Sequence, residues 1–370
     1  MAHSWNFSRR GRAMKSFSLI ATVLAVMGTL GMPNGFALGG DEPPQDPGAG
    51  LKLGQERIAD NEESVIKELV AVQLAIQKKV NPDKRGQHPK QHGCVEAEFV
   101  VSNEIPTEYR FGLFKESRTY KAKVRFSNGG QMDDAQADVH GMAVKVLGVE
   151  GPRALGEDGR QEQDFVLIDS ESFFAPDAKI VLDFLKAQAA AATNPMALGI
   201  FMKDNPATAK ALQESRKIIA SPLVVKYAST VPFKFGDGAV KYVAIPAKDN
   251  ELGIAKAPSR DFLKETMAER LKAGMKPVVF DLCVVPQTHP SKTPIENPMI
   301  FWDATPVRVA TITIGPQTFD TPERMRECED ASFDPWHALA DHRPLGNVNR
   351  ARKAVYEASL KARREAQGRP

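Results

Sequence analysis

TYKAKVRFSNGG, Thr119 to Gly130, alternates Tyr120, Ala122, Val124 and Phe126 with Lys121, Lys123 and Arg125. Successive side chains of an extended chain point to opposite faces, so this period of two predicts a strand with one apolar and one basic face. The Asn-Gly-Gly that follows ends it. Upstream, CVEAEFVV from Cys94 repeats the period, with Glu96 and Glu98 set between Val95, Ala97 and Phe99. Downstream, strands are predicted at 142–147, 164–168, 240–245, 278–285 and 307–314. An Ala-rich helical insert lies between Asp177 and Ala220. A second helix runs from Ser259, its cap, to Ala273, with Phe262, Leu263, Met267 and Leu271 as its apolar stripe. Residues 55–79 place Ile58, Val65, Ile66, Leu69, Val70 and Leu74 at helical spacing and read as an arm helix. Strands in two groups with helices segregated between and after them predict an α+β fold. Its expected core is an antiparallel β-barrel, or a strongly curled sheet, with flanking helices.

The rest of the composition sets bounds. At 370 residues, 42% hydrophobic and 26% charged, the chain can bury a large core, and a net charge of +3 gives no nucleic-acid footprint. Cys94, Cys283 and Cys328 are too far apart for a zinc knuckle. Their odd number leaves at least one free thiol, and spacing does not assign a disulfide. At the N-terminus, Arg9, Arg10, Arg12 and Lys15 precede the apolar run Phe17 to Met32, and small residues stand at Gly35 and Ala37. This is the pattern of a cleaved signal peptide over 1–37, with an uncleaved anchor as the alternative. GGDEPPQDPGAG belongs to a flexible linker over 38–54, and 55–370 form one domain. The mature protein is expected to be exported, to a periplasm, with no stable membrane span.

The chain closes on a second informative stretch, RPLGNVNRARKAVYEASLKARRE, Arg343 to Glu365. Pro344 and Gly346 break the chain, Asn347 or Asn349 can cap, and a long run without Gly or Pro predicts a helix. At about 100° per residue, Arg352, Tyr356 and Arg363 fall within about 40° of one another on one face. A guanidinium one turn from a phenol favours the phenolate, a hard anionic ligand for ferric iron.

Three further blocks join this helix: RGQHPKQHGCVEAEFVV (85–101), VRFSNGG with DVHGMAVKV (124–146), and DFVLIDSESFFAPD (164–177). In order and spacing the four blocks resemble the catalase superfamily, above all its small exported catalase-related haem peroxidases and the related allene oxide synthase domains. The resemblance spans roughly residues 55 to 366. It implies haem b as cofactor, with iron held by Tyr356 as proximal tyrosinate and Arg352 as its partner. It further implies His88 as the distal acid–base group and Ser127 as the hydroxyl that fixes the His88 ring. Arg85, Arg125 and Arg363 would bind the haem propionates, and Phe174 would form part of the distal wall. The residue types suit these roles. Imidazole moves protons near neutral pH, and Arg gives carboxylates a bidentate partner. Without Cys-x-x-Cys-His, the haem is not held covalently in the c-type manner.

Three positions depart from the pattern. Asp169 stands where catalases carry the distal asparagine, and an ionised carboxylate accepts hydrogen bonds but donates none. Asp169 is therefore expected in an apolar pocket beside Phe173 or Phe174, as a second acid–base group that weakens dismutation. His140 replaces the arginine usual before the glycine of its block, and Gln87 replaces a smaller aliphatic residue or threonine. His92 follows His88 at helical spacing, but no third ligand lies near for a metal. His337, His342, Trp302 and Trp336 read as structural. The function expected is reduction of hydrogen peroxide or organic peroxides with an unknown electron donor. A hydroperoxide-rearranging enzyme and a non-catalytic haem-binding protein are the alternatives. The resemblance leaves a homo-oligomer open.

Overall fold

The computed structural model describes residues 46–156, 159–250 and 259–369, so the expected signal peptide and the first part of the expected linker lie outside the described residues. From residue 46 the chain is held on the domain: the Gly54 N–H donates to Gln287 Oε1 at 2.7 Å. The expected flexible linker is thus fixed over its last residues.

Among the described residues, nine strands form one antiparallel sheet: β1 (Gln91–Val101), β2 (Thr119–Asn128), β3 (His140–Leu147), β4 (Glu162–Ile168), β5 (Tyr227–Ala228), β6 (Phe233–Phe235), β7 (Gly238–Pro246), β8 (Val278–Pro286) and β9 (Val307–Ile314). The order is β5-β4-β3-β2-β1-β9-β8-β7-β6, and β5 also pairs with β7. Ala228 faces Ile168 of β4 and Val243 of β7, so a two-residue strand closes eight strands into a barrel and leaves β6 as a hairpin partner of β7. Closure removes the free edges that an open sheet would present.

The period of two decides what fills the barrel. Val95, Ala97 and Phe99 of β1, Ala122, Val124 and Phe126 of β2, Met142 and Val144 of β3, and Phe165 of β4 all join one buried core. Phe99 stacks on Phe165 with centroids 5.9 Å apart, and Phe165 meets Tyr242 edge to face at 4.9 Å. Each such ring contributes roughly 1.5–3 kcal/mol by leaving water.

Seven α-helices are described: α1 (Glu62–Val80), α2 (Ala178–Ala190), α3 (Met196–Asp204), α4 (Pro206–Ser215), α5 (Phe262–Arg270), α6 (Pro322–Asp330) and α7 (Asn347–Ala366). The Ala-rich insert is three helices, the first capped by Asp177, whose Oδ1 accepts from the Ile180 N–H at 2.8 Å. The helix expected from Ser259 starts at Phe262, because the Ser259 hydroxyl accepts from Asp261 N–H and donates to Glu265 in the turn before it. α1 starts later than its apolar spacing suggested. Ile58 is 70% exposed ahead of the helix, and the buried face is Glu62, Val65, Leu69, Gln73 and Gln77. That face packs on α2 and α7 through Val65, Leu69, Leu182, Leu185 and Ala351.

Neither asparagine caps α7 with its side chain. Carboxylates from distant segments do that work: Gly346 N–H donates to Glu56 Oε1 and Asn347 N–H to Glu296 Oε2, each at 2.8 Å. Unpaired N–H groups and the positive end of the helix dipole both favour anions there. Arg350 ties Glu56, Glu62 and Glu296 into one cluster. Cys94 of β1 and Cys328 of α6 form a disulfide, and Cys283 is free and buried.

Candidate functional site

The barrel is full, so its outer face carries the site. In β2 the residues between the core positions are Arg125 and Ser127, and in β3 they are Gly141 and Ala143. Arg125 pairs with Ala143, Ser127 with Gly141, and Ala143 with Val166. These five outward residues line one side of a cleft with about 840 Å³ of empty space, part of it open to solvent. α1 and α7 supply the opposite side through Gln73, Val355, Tyr356, Ser359, Leu360 and Arg363, and the segment before β1 adds Arg85 to His88.

His88 is placed by backbone and side chain together. Its φ of 54° lies in the left-handed region, a strained conformation for a residue with a side chain. Its N–H donates to the Gly129 carbonyl at 3.0 Å, and its carbonyl accepts from Arg125 Nη2 at 2.9 Å. Its Nδ1 lies 3.2 Å from Ser127 Oγ. Gly141 is required beneath it, since a Cβ there would stand 2.7 Å from Nδ1. Burial, with the Arg125 charge adding to it, pushes the His88 imidazolium down to about 4. His88 is therefore neutral near pH 7.

On α7, Arg352 Nη2 donates to the Tyr356 hydroxyl oxygen at 3.1 Å, and the guanidinium stands 5.2 Å from the ring centroid. Arg352 is itself aimed: Nη1 donates to Asn349 Oδ1 at 3.1 Å, and the Asn349 amide donates to the Pro232 and Leu345 carbonyls. The helical face read from sequence is thus the cleft-lining face, with Arg352 one step behind Tyr356.

Arg85, Arg125 and Arg363 converge on the cleft. Arg85 and Arg363 share the Glu329 carboxylate, 2.9 Å from Arg85 Nη1 and 3.4 Å from Arg363 Nη1. The end of α6 also offers carbonyls: those of Cys328 and Ala331 accept from Arg85, and that of Glu329 from Arg363. Burial pushes Arg85 down to about 10 and lowers Arg125 and Arg363. Arg125 Nε is buried with no acceptor among the described residues. With Arg125 lining the same cleft and only Glu329 paired to Arg85 and Arg363, guanidiniums outnumber the carboxylate that meets them. Such a cluster suits a ligand carrying two carboxylates.

Of the residues singled out in the sequence, Arg85, His88, Arg125, Ser127, Tyr356 and Arg363 line this one cleft, and Arg352 contacts Tyr356. Asp169 and Phe174 stand apart from its lining. Phe174 heads an aromatic run through Phe184 to Phe201 in the helical insert. Asp169 is not the unpartnered carboxylate of an apolar pocket. Its Oδ1 accepts from the His140 N–H and its Oδ2 lies on His140 Nδ1, both at 2.8 Å, while its carbonyl accepts from Lys217. Two of the three sequence departures are partners: the imidazole at 140 takes the carboxylate at 169. His92 is buried on β1, 2.8 Å from Asn128 Oδ1, and does not line the cleft. Glu162, Asp164 and His337 could hold a metal by distance, but Lys145 Nζ sits 2.8 Å from both carboxylates and takes that role.

The sequence reading missed Gln73, Glu329 and Asp334. Gln73 continues the buried face of α1 every fourth residue, a signal masked by the apolar Leu74 beside it. Glu329 and Asp334 lie outside any periodic stretch. Burial raises the Asp334 carboxyl.

No protein-family model matches the chain, and no curated protein matches it. Solved structures do. A bacterial catalase aligns over 91% of this chain and 67% of its own, at 18% identity and TM-score 0.57. Catalase A from Saccharomyces cerevisiae aligns over 84% of this chain and 67% of its own, at 16% identity and TM-score 0.61. A fungal catalase aligns over 86% and 65%, at 16% identity and TM-score 0.57. The chain has the fold of catalases and spans about two thirds of their length.

Proposed function

We propose that this chain, built on the catalase fold, holds haem in the cleft and reduces peroxides. The observation that carries the reading is the meeting, across one cleft, of the His88–Ser127 pair, the Arg352–Tyr356 pair, and three arginines, of which Arg85 and Arg363 share one carboxylate. A haem fits these donors. Its two propionates match the excess of positive charge, and the Tyr356 oxygen, held by Arg352, supplies an anionic ligand for ferric iron.

When bound, haem would supply a redox-active iron able to cleave a peroxide O–O bond. The protein's part is positioning and proton transfer. In the tautomer where Nδ1–H is donated to Ser127 Oγ, His88 Nε2 is left as acceptor. It would take the proton from one peroxide oxygen and return it to the other, which leaves as water or alcohol. A neutral imidazole is required for the first move, and the depressed His88 value provides it. The reductant that completes the cycle comes from outside the chain. The disulfide is a bond of oxidising compartments and supports the expected export.

Titration of the apo-protein with hemin tests the reading. A Soret band saturating at one equivalent is the expected result, and no Soret shift on mixing overturns it. Tyr356→Phe removes the anionic ligand while keeping the ring, so its hemin affinity is expected to fall by about tenfold or more, or its ferric spectrum to change type. A spectrum and affinity identical to wild type would remove Tyr356 from the role of ligand.

A further inference from the structure

The buried face of α1 ends in polar residues where it crosses the cleft. Gln77 is fully engaged: its Nε2 donates to the Lys84 and Ser359 carbonyls, and its Oε1 accepts from Ser359 Oγ at 2.7 Å. Gln73, one turn earlier, is not. It is 4% exposed and lines the cleft, yet its Nε2 has no acceptor among the described residues. Its Oε1 accepts from Gln87 Nε2 at 3.4 Å, a long bond that turns the carboxamide toward the residue preceding His88. Gly86 keeps that approach open, since a Cβ there would lie 2.6 Å from Gln73 Nε2.

A buried amide N–H without an acceptor is costly, and native chains seldom keep one without a use. Asp169 offers no competing donor, because its carboxylate is taken by His140. We propose that Gln73 Nε2 donates a hydrogen bond to an oxygen atom of the peroxide bound in the cleft, making Gln73 a substrate-contacting residue beside His88. This rests on the haem–peroxide reading above. The donated bond stabilises the negative charge that builds on a peroxide oxygen once His88 has taken its proton. Gln87 fixes the plane of the Gln73 amide, so the N–H is presented without rotation.

The role predicts two effects of opposite sign. In the apo-protein, Gln73→Leu relieves an unpaired donor, so the melting temperature is expected to stay level or rise by a few degrees. In the hemin-loaded protein, fluoride, a small anion that accepts hydrogen bonds, is expected to bind about tenfold more weakly to Gln73→Leu by spectral titration. Gln73→Glu keeps the acceptor for Gln87 and loses the donor, so its fluoride affinity is expected to fall at least as far. Unchanged fluoride affinity in both variants overturns the proposal and leaves the haem reading standing. A melting temperature several degrees lower for Gln73→Leu overturns it as well, because the carboxamide then serves a structural bond. Wild-type protein that takes up no hemin overturns the haem reading, and this role with it.

Discussion

His88→Ala is expected to take up haem normally and to react with hydrogen peroxide about 10²–10⁴-fold more slowly than wild type, the usual contribution of a positioned acid–base group. The size of the effect follows from how much of the cleft serves this one ring. The strained backbone at 88 is held by Gly129 and Arg125, the ring by Ser127, and the absent side chain of Gly141 makes the space. Stopped-flow mixing of hemin-loaded protein with peroxide measures the rate. His92→Ala is the control, since His92 faces Asn128 away from the cleft. Equal rates for wild type and His88→Ala, or a slower His92→Ala, would reject the assignment. The pH profile adds a second check. His88 must be neutral to take the proton, so the rate should hold near pH 7 and fall as pH approaches about 4. Stability follows the same group. Between about 6.5, the value in the unfolded chain, and about 4, the unfolded chain binds a proton that the folded chain refuses, so folding weakens as pH falls through that window.

The sequence alone suggested a different part for Asp169, standing free in an apolar pocket and weakening dismutation. With the carboxylate bound to the His140 ring and N–H, Asp169→Asn should leave the peroxide rate within a few-fold of wild type. It should instead destabilise the fold by about 1–3 kcal/mol, the usual cost of weakening a buried, charge-assisted bond. Denaturant unfolding beside a peroxide assay separates the two outcomes, and a markedly faster variant of unchanged stability would restore the sequence-based view.

What the sequence made legible is what repeats. Period two in β1 and β2 assigned faces correctly, and with them Arg125 on the side opposite Phe126, while β3, β4 and β7 to β9 were located as strands. The spacing of Arg352, Tyr356 and Arg363 placed their shared face on α7. The features that were not legible depend on contacts between distant segments. β5 is two residues long and has no periodicity, yet it closes the barrel. The α7 cap comes from Glu56 and Glu296 rather than from Asn347 or Asn349. A carboxylate at 169 looked exceptional because its partner, 29 residues away, was read as a separate and smaller departure.

The disulfide is the most consequential of these long-range contacts, and its removal carries the largest expected loss of stability. Cys94 and Cys328 are 234 residues apart in sequence, and a loop of that size constrains the unfolded chain by about 5 kcal/mol on the chain-entropy view. For a domain of this size that corresponds to roughly 10 °C in melting temperature. The bond also has a local consequence. Cys328 begins the end of α6 that receives the arginines: its own carbonyl and that of Ala331 accept from Arg85, and Glu329 meets both Arg85 and Arg363. Pinning Cys328 to β1 therefore fixes two of the three guanidiniums against the strand that leads to the cleft. The double variant Cys94→Ala/Cys328→Ala should melt about 10 °C lower and lose hemin faster to an apo-globin scavenger. Cys283→Ala, which removes a buried thiol outside the pair, should retain hemin like wild type. Reductant added to wild type should reproduce the double variant, and added to the double variant should change nothing. If the double variant melts lower yet keeps hemin as long as wild type, the disulfide stabilises the barrel without ordering the arginines, and the end of α6 holds Arg85 and Arg363 unaided.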